Sequence, residues 1–280
     1  MYEITVDDIS RLAPVFKPDR HKGDGGTALM LCGSKGYAGA AALAAKSCYR
    51  CGAGIVRCVV SEDIYGIVSA LVPEAVFSVS DDKLSAFFEA SRSATAAAVG
   101  CGLGAGEDVK RTVREIISAV SLPLVLDADG LNALSDSIEY IKNHRGECVI
   151  TPHPGEAARL LGCTVGEIQS DRVGAVKELA KRSGAVALLK GHGTLICDTS
   201  GNISVLTLGN AGMAKGGSGD VLTGIITSFL AQGMNAFDAA VLGAAVHSRA
   251  GDLAAERFSQ TAMLPSDMIS LLPEVFGAKG

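Results

Sequence analysis

Short apolar runs recur along this chain, and most end in a cluster of glycines or polar residues that opens a helix-patterned stretch. Thr27 to Cys32, Thr95 to Val99, Pro123 to Leu126, Cys148 to Ile150 and Ala185 to Leu189 are such runs, and the clusters follow at 33–40, 100–106, 127–132, 151–156 and 190–194. A brief apolar run bounded by glycine reads as a buried strand. Strand, loop and helix in repetition give βα units, and repeated βα units build a mainly parallel sheet with helices on both faces. The expected class is therefore α/β. Ile55 to Val60 and Ala75 to Val79 read as further strands, with a hairpin from Leu195 to Cys197 and Ile203 to Leu206. Helices are expected over 5–12, 40–51, 83–92, 109–120, from 156, 172–182, 220–231 and 236–256, and after Pro265. No composition break or repeat period divides the chain, so residues 1–280 read as a single domain.

Composition removes several function classes. The net charge is −5, and no basic stripe of the kind that tracks nucleic acid is visible. No apolar run is long enough to span a bilayer, and the first residues lack a secretory pattern; a cytoplasmic location without membrane partners is expected. Tryptophan is absent and glycine numbers 34, which suits close helix–sheet packing and backbone-lined sites. Cys48 and Cys51 form a C-x-x-C with Cys58 beyond. No second C-x-x-C or suitably spaced His completes a zinc site, so all eight cysteines are expected to pack as small apolar groups.

In an open α/β sheet, ligands bind beyond the carboxyl ends of the strands. The five polar clusters should therefore converge on one edge. A P-loop is missing, since no G-x-x-x-x-G-K-[ST] occurs. Gly100, Gly102 and Ala105 satisfy the loose G-x-G-x-x-[GA] pattern, with Asp127 and Asp129 downstream, yet this loop is not in the first βα unit, which weighs against a Rossmann site. His153 lies between Pro152 and Pro154, which restrict the turn and set the imidazole at a fixed angle; ligand contact is the favoured reading, a surface turn the plainer one. Glu156 opens the next helix, where an acid complements the dipole or positions a metal-bound water. Lys190 ends a buried strand and needs an anion or carbonyl cluster. His247 falls mid-helix on a small-residue face and reads as structural. His21 and Lys22 either cap the ligand edge or stand exposed.

The densest cluster runs from Gly209 to Gly224. Gly209, Gly212, Gly216, Gly217 and Gly219 crowd a loop that passes directly into a helix. Glycines bring backbone N–H groups close to a ligand, and a helix N-terminus carries about half a positive charge, so this is an anion site. Asp220 repels an anion there unless a metal or a reacting hydroxyl intervenes. The combination points to proton removal beside a phosphate.

Asn210-Ala211-Gly212-Met213-Ala214-Lys215-Gly216-Gly217-Ser218-Gly219-Asp220 resembles the signature of the ADP/ATP-dependent NAD(P)H-hydrate dehydratases. His21-Lys22-Gly23, Gly33 to Ala40, Asp127 to Asn132, Thr151 to Glu156 and Leu189 to Thr194 resemble further family segments in family order. The resemblance covers nearly all the chain and implies a ribokinase-like fold. It implies nucleotide repair, in which (S)-NADHX or (S)-NADPHX is dehydrated to NADH or NADPH at the expense of ADP or, less expectedly, ATP, with Mg²⁺ on the phosphates. By the same resemblance, Asp220 is the catalytic base. Ala40, Gly102, His153 and Asp220 meet the hydrate. Lys190, Gly191, His192, Gly193, Thr194 and Gly219 meet the nucleotide, and Gly216, Gly217, Ser218 and Gly219 hold its reacting phosphoryl. Glu156 takes the acid position of a Thr-Pro-Asn-x-x-Glu pattern, with His153 replacing Asn, and would touch the metal directly or through water. A homotetramer and a separate NAD(P)HX epimerase partner are implied, as this length leaves no room for a fused epimerase. A vitamin-precursor kinase of the same fold, or a non-catalytic nucleotide-binding protein, are the rival readings; the presence of Asp220 weighs against the second.

Overall fold

Side chains alternate across the central strands, and the alternation sorts them into two cores. Ala28, Met30, Ala96, Ala98 and Val125 point to one side, while Leu29, Leu31, Ala97, Val99 and Leu126 point to the other. Both faces are thus buried, as a parallel sheet requires. The computed structural model describes residues 1–16, 18, 19 and 21–277; positions 17, 20 and 278–280 of the expected domain span lie outside the described residues.

In chain order the elements are β1 (Tyr2–Ile4), α1 (Asp7–Leu12), β2 (Thr27–Leu31), α2 (Ala38–Arg50), β3 (Ile55–Val60), α3 (Glu62–Leu71), β4 (Val76–Val79) and α4 (Lys83–Ser91). There follow β5 (Ala96–Val99), α5 (Glu107–Ala119), β6 (Leu124–Leu126), α6 (Asp129–Asn132), β7 (Cys148–Ile150), α7 (Pro154–Leu161), α8 (Val165–Ser170) and α9 (Arg172–Ser183). The chain closes with β8 (Val186–Leu189), β9 (Thr194–Cys197), β10 (Ile203–Leu206), α10 (Ser218–Ala231), α11 (Ala236–Ala262) and α12 (Pro265–Val275). The sheet order is β1-β10-β9-β8-β7-β6-β5-β2-β3-β4. Only β9 runs against its neighbours, because the hairpin to β10 reverses it. The chain leaves β2 outward through β3 and β4, then returns to β5 on the other side. That reversal is the topological switch point where ligand crevices form.

The abundance of small residues has a structural cause in α10. From Val221 to Ala231 every residue of this helix is buried, so it runs through the protein rather than over it. A Cβ on Gly224 would collide with the Ala44 carbonyl of α2, and one on Gly243 would come 2.5 Å from Ile226. Alanines at 96–98 let α10 approach the sheet. The cysteines behave as expected of packing groups: all eight are free, and only Cys163 is not fully buried. Burial pushes the Cys51 thiol well above its ordinary value and the Cys58 thiol up to about 12, which disfavours the thiolate a redox nucleophile needs.

Four features depart from the sequence expectations. Residues 2–4 form an edge strand paired to β10, where the sequence reading placed no strand. Helices α3, α6 and α8 were not anticipated. Helix α11 continues past Glu256 to Ala262 across a kink at Ser259, where φ is 69°. His21 and Lys22 precede the start of β2 and so lie at the opposite end of that strand from Gly33; they do not cap the ligand edge.

Candidate active site

Three adjacent strands each deliver a charge at their carboxyl ends. Asp127 follows β6, Glu156 lies in the first turn after β7, and Lys190 follows β8. Asp127 is only 1% exposed. One of its oxygens accepts from Lys190 Nζ at 2.8 Å and the other from Thr223 Oγ1 at 2.8 Å. Glu156 Oε2 lies 3.9 Å from the same ammonium. Burial alone would lower the Lys190 proton affinity, but Asp127 and Glu156 outweigh it and hold the ammonium above its ordinary value. Lys190 therefore stays charged in a site where an unpaired cation would be costly.

The first turn of α10 rests on this ion pair. A Cβ on Gly219 would come 3.3 Å from Lys190 Nζ and 3.5 Å from Asp127 Oδ2, so glycine is what permits the approach. The N-cap Gly217 adopts φ 98° and supplies no side-chain cap. No backbone acceptor within the described residues takes the N–H groups of Gly219 or Asp220, and Gly216 has open space where a Cβ would stand. Free N–H groups at a helix start are the elements of an anion site. Beside them, burial pushes the Asp220 carboxyl up; Asp127 and Asp129 add to the shift, while Cys101 and Lys190 oppose it. A carboxyl with raised proton affinity is suited to act as a base near neutrality.

The loop leading to this turn is tied to α11. Gly209 N donates to Asp252 Oδ2 at 3.1 Å, and Asn210 Nδ2 donates to Gly251 O and Asp252 Oδ1, both at 3.0 Å. Lys215 Nζ donates to the Thr261 and Met263 carbonyls beyond the Ser259 kink. Its ammonium is thereby spent on the helix end and not on the anion position.

On the other flank, the loops after β2 and β5 interlock through backbone. Gly33 N donates to Cys101 O at 2.7 Å and Ser34 Oγ to Gly102 O at 2.8 Å. Gly102, at φ 62°, packs so closely that a Cβ there would meet those of Ala40 and Tyr37 at 2.9 Å. Asp129 Oδ2 accepts from Gly104 N at 2.8 Å, which joins this flank to the acids after β6. Between Asp127 and Asp129, Ala128 is held at φ 49°, a strained conformation of the kind that collects at functional sites.

His153 has a local task. Its Nδ1 accepts from Gly155 N at 2.9 Å and Glu156 N at 3.4 Å, while Glu156 Oε2 accepts from His153 N at 2.8 Å. The two residues form a reciprocal capping box on α7. His153 Nε2 faces Glu156 Oε1 at 3.4 Å. Burial lowers the His153 proton affinity, with Glu156 opposing, so Nδ1 remains an acceptor. Glu156 itself is raised by burial against the pull of Lys190.

The run from Lys190 to Thr194 turns with Thr194 Oγ1 donating to Gly191 O at 3.1 Å, and His192 is exposed. Arg172, at the start of α9, holds this run from behind by donating to the carbonyls of Leu189, Lys190 and Gly193. Sequence reading missed Arg172, since nothing distinguishes it from a surface arginine. It also missed Thr223, one of several hydroxyls on α10 beside Thr227 and Ser228; its place one turn after Asp220 was the only legible signal.

Asp127 and Glu156 flank the Lys190 ammonium, and Asp220, with Asp129 near it, adds further negative charge to the site. A polyphosphate brought to the open N–H groups adds still more negative charge, so a divalent cation fits here on charge grounds. Among the described residues no three His, Cys or acidic side chains form a ready cage. Mg²⁺ suits such a place, because it keeps waters and phosphate oxygens and takes one or two carboxylates.

The profile of the NAD(P)H-hydrate dehydratase family matches residues 28–274. The ADP-dependent (S)-NAD(P)H-hydrate dehydratase of Neisseria meningitidis is 42% identical over 253 residues, which cover 88% of this chain and 84% of that protein. The bifunctional NAD(P)H-hydrate repair enzyme Nnr of Escherichia coli is 41% identical over 97% of this chain and 51% of its own length. The chain thus spans about half the length of such bifunctional relatives. An ADP/ATP-dependent NAD(P)H-hydrate dehydratase from Bacillus subtilis, co-crystallised with ATP and Mg²⁺, superposes with a TM-score of 0.87 at 30% identity over 97% of this chain and 96% of that one. The fold is ribokinase-like.

Proposed function

The chain belongs to the NAD(P)H-hydrate dehydratase family, and from that premise we propose that it restores (S)-NADHX and (S)-NADPHX to NADH and NADPH, converting ADP to AMP and phosphate. The observation that carries this reading is the juxtaposition of free N–H groups at the start of α10 with a half-buried Asp220 in the same turn, its carboxyl pushed up by partial burial. The first group binds a phosphoryl and the second removes a proton beside it.

Hydroxide leaves a carbon centre poorly, and phosphate leaves well. Asp220 accepts the proton of the hydrate's C6 hydroxyl as that oxygen bonds to the terminal phosphorus of ADP. The P–O bond to AMP breaks, and the charge developing on the phosphoryl meets the N–H groups of Gly216, Gly217 and Gly219 in the 216–219 loop and the Lys190 ammonium. The ring nitrogen lone pair then expels phosphate from C6. Loss of a proton from C5 completes the double bond. Ala40, Gly102 and His153 line the hydrate side, and Lys190 to Thr194 with Gly219 follow the nucleotide. Mg²⁺ would supply charge neutralisation on the phosphates when bound, and Glu156 would hold it directly or through water. This reading takes residues 1–280 as one dehydratase domain in the cytoplasm, assembled as a homotetramer, with an NAD(P)HX epimerase as functional partner. Among the described residues, no helix is long and apolar enough to cross a membrane.

Incubating (S)-NADHX with ADP, ATP or neither tests the proposal. Return of the reduced dinucleotide's absorbance, dependent on nucleotide and strongest with ADP, is expected. A phosphorylated product that accumulates without dehydration would instead indicate a kinase.

A further inference from the structure

His247 lies in the interior of α11, on the face that meets the anion loop, and is buried. Its Nε2 stands 2.9 Å from the Ser218 carbonyl oxygen and 3.3 Å from Ser218 Oγ. A carbonyl oxygen only accepts, so Nε2 carries the hydrogen. Burial pulls the imidazole down to about 4, and the ring is neutral throughout the working range. The contact is therefore a fixed pin.

The pinned carbonyl belongs to the same peptide unit as the Gly219 N–H. A trans peptide is planar, and its C=O and N–H point in opposite directions. Fixing the Ser218 carbonyl toward His247 of α11 therefore aims the Gly219 N–H away from α11. Glycines at 217 and 219 flank Ser218, and glycine leaves backbone torsions soft. Ser218 and Gly219 are the first two residues of α10, so this peptide sits at the helix end, where His247 adds a restraint from outside the helix. The loop's other ties to α11 act earlier, at Gly209, Asn210 and Lys215. His247 is the tie nearest the first turn of α10.

We propose that His247 is a positioning residue for the reaction, whose Nε2–H locks the Ser218–Gly219 peptide plane so that the Gly219 N–H faces the reacting phosphate. The inference rests on the dehydratase reading for its substrate, but the restraint concerns any phosphate held at this loop.

The test compares His247→Leu, which keeps bulk and removes the donor, with His247→Gln, whose Nε2 amide can restore it. Loss of one preorganised donor lowers kcat by about 10²-fold. The leucine variant should show that loss with an unchanged KM for (S)-NADPHX and a thermal midpoint no lower than that of the parent. The glutamine variant should recover most of the activity. Calorimetry with ADP and Mg²⁺, then with AMP, supplies a readout independent of dehydration: His247→Leu should erase much of the preference for ADP over AMP. A leucine variant with parental kcat and parental ADP preference would overturn the proposal. So would a glutamine variant that folds yet is as impaired as leucine, since that marks a packing role. If the parent binds ADP but does not act on the hydrate, the functional reading fails, and the calorimetric comparison alone decides the role of His247.

Discussion

Two helix N-termini meet at the Lys190 ammonium, and they are finished in opposite ways. Helix α7 is closed: His153 and Glu156 cap each other's backbone, and Pro154 occupies the position where an N–H is not needed. Helix α10 is open: Gly217 offers no side chain, and the N–H groups of Gly219 and Asp220 have no acceptor among the described residues. The closed end contributes stability and a fixed orientation for Glu156. The open end forgoes that stability and keeps its N–H groups for a ligand. An anion site is recognised here by what the chain leaves out of a helix cap.

The sharpest way to break this comparison is Asp220→Asn. Removing the base should reduce turnover by about 10²-fold or more, while nucleotide binding persists in calorimetry. Because burial and Asp127 oppose ionisation of Asp220, the variant's melting temperature should equal or exceed that of the parent. The same shift fixes the sign of the pH dependence. The base works only when deprotonated, so kcat/KM should fall as pH drops through a pKa above the ordinary Asp range. Asp127→Asn, by removing a negative neighbour, should move that limb to lower pH.

Lys190→Ala attacks both ends at once, since it leaves Asp127 and Glu156 buried without their cation. Breaking such a pair costs about 3 kcal/mol, which a denaturant titration would register. Calorimetry should show nucleotide affinity falling more than hydrate affinity; the reverse would reject the placement of Lys190 on the nucleotide. A smaller effect is expected of Gly216→Asp, which puts a carboxylate at the open end, where a Cβ meets nothing. It should weaken ADP binding with little change in melting temperature. Smallest is His153→Ala, which opens the closed end. Loss of an N-cap costs about 1 kcal/mol, visible as a lowered thermal midpoint with the ADP affinity retained.

Much of this architecture was legible because buried parallel strands read as unbroken apolar runs, and the glycine clusters mark their ends. The segment Tyr2–Ile4 escaped because three residues on an edge, two of them exposed, carry no apolar run. Helix α3 escaped although Ser61, Glu62 and Asp63 form a plausible start: Ile67 and Leu71 lie exposed, so its apolar pattern is blurred. At the site, chemistry that depends on local order was readable, as with the glycine loop and Asp220. Partnerships across strands were not. Lys190 was known to need an anion, but only the sheet order supplies Asp127, 63 positions away. The sequence suggested ligand contact for His153, whereas its Nδ1 is occupied by the cap of α7. His247 read as structural; in the fold it braces the loop that carries Asp220.

The central claim is that one turn of α10 holds a phosphoryl and deprotonates its acceptor. The most direct measurement is the recovery of NADH absorbance from (S)-NADHX by the parent protein and by Asp220→Asn, each with ADP and Mg²⁺ and each without nucleotide. The account predicts recovery by the parent only when nucleotide is present, with stoichiometric AMP and phosphate, and no recovery by the variant despite bound ADP. Recovery by the parent without nucleotide, or undiminished recovery by Asp220→Asn, would contradict it.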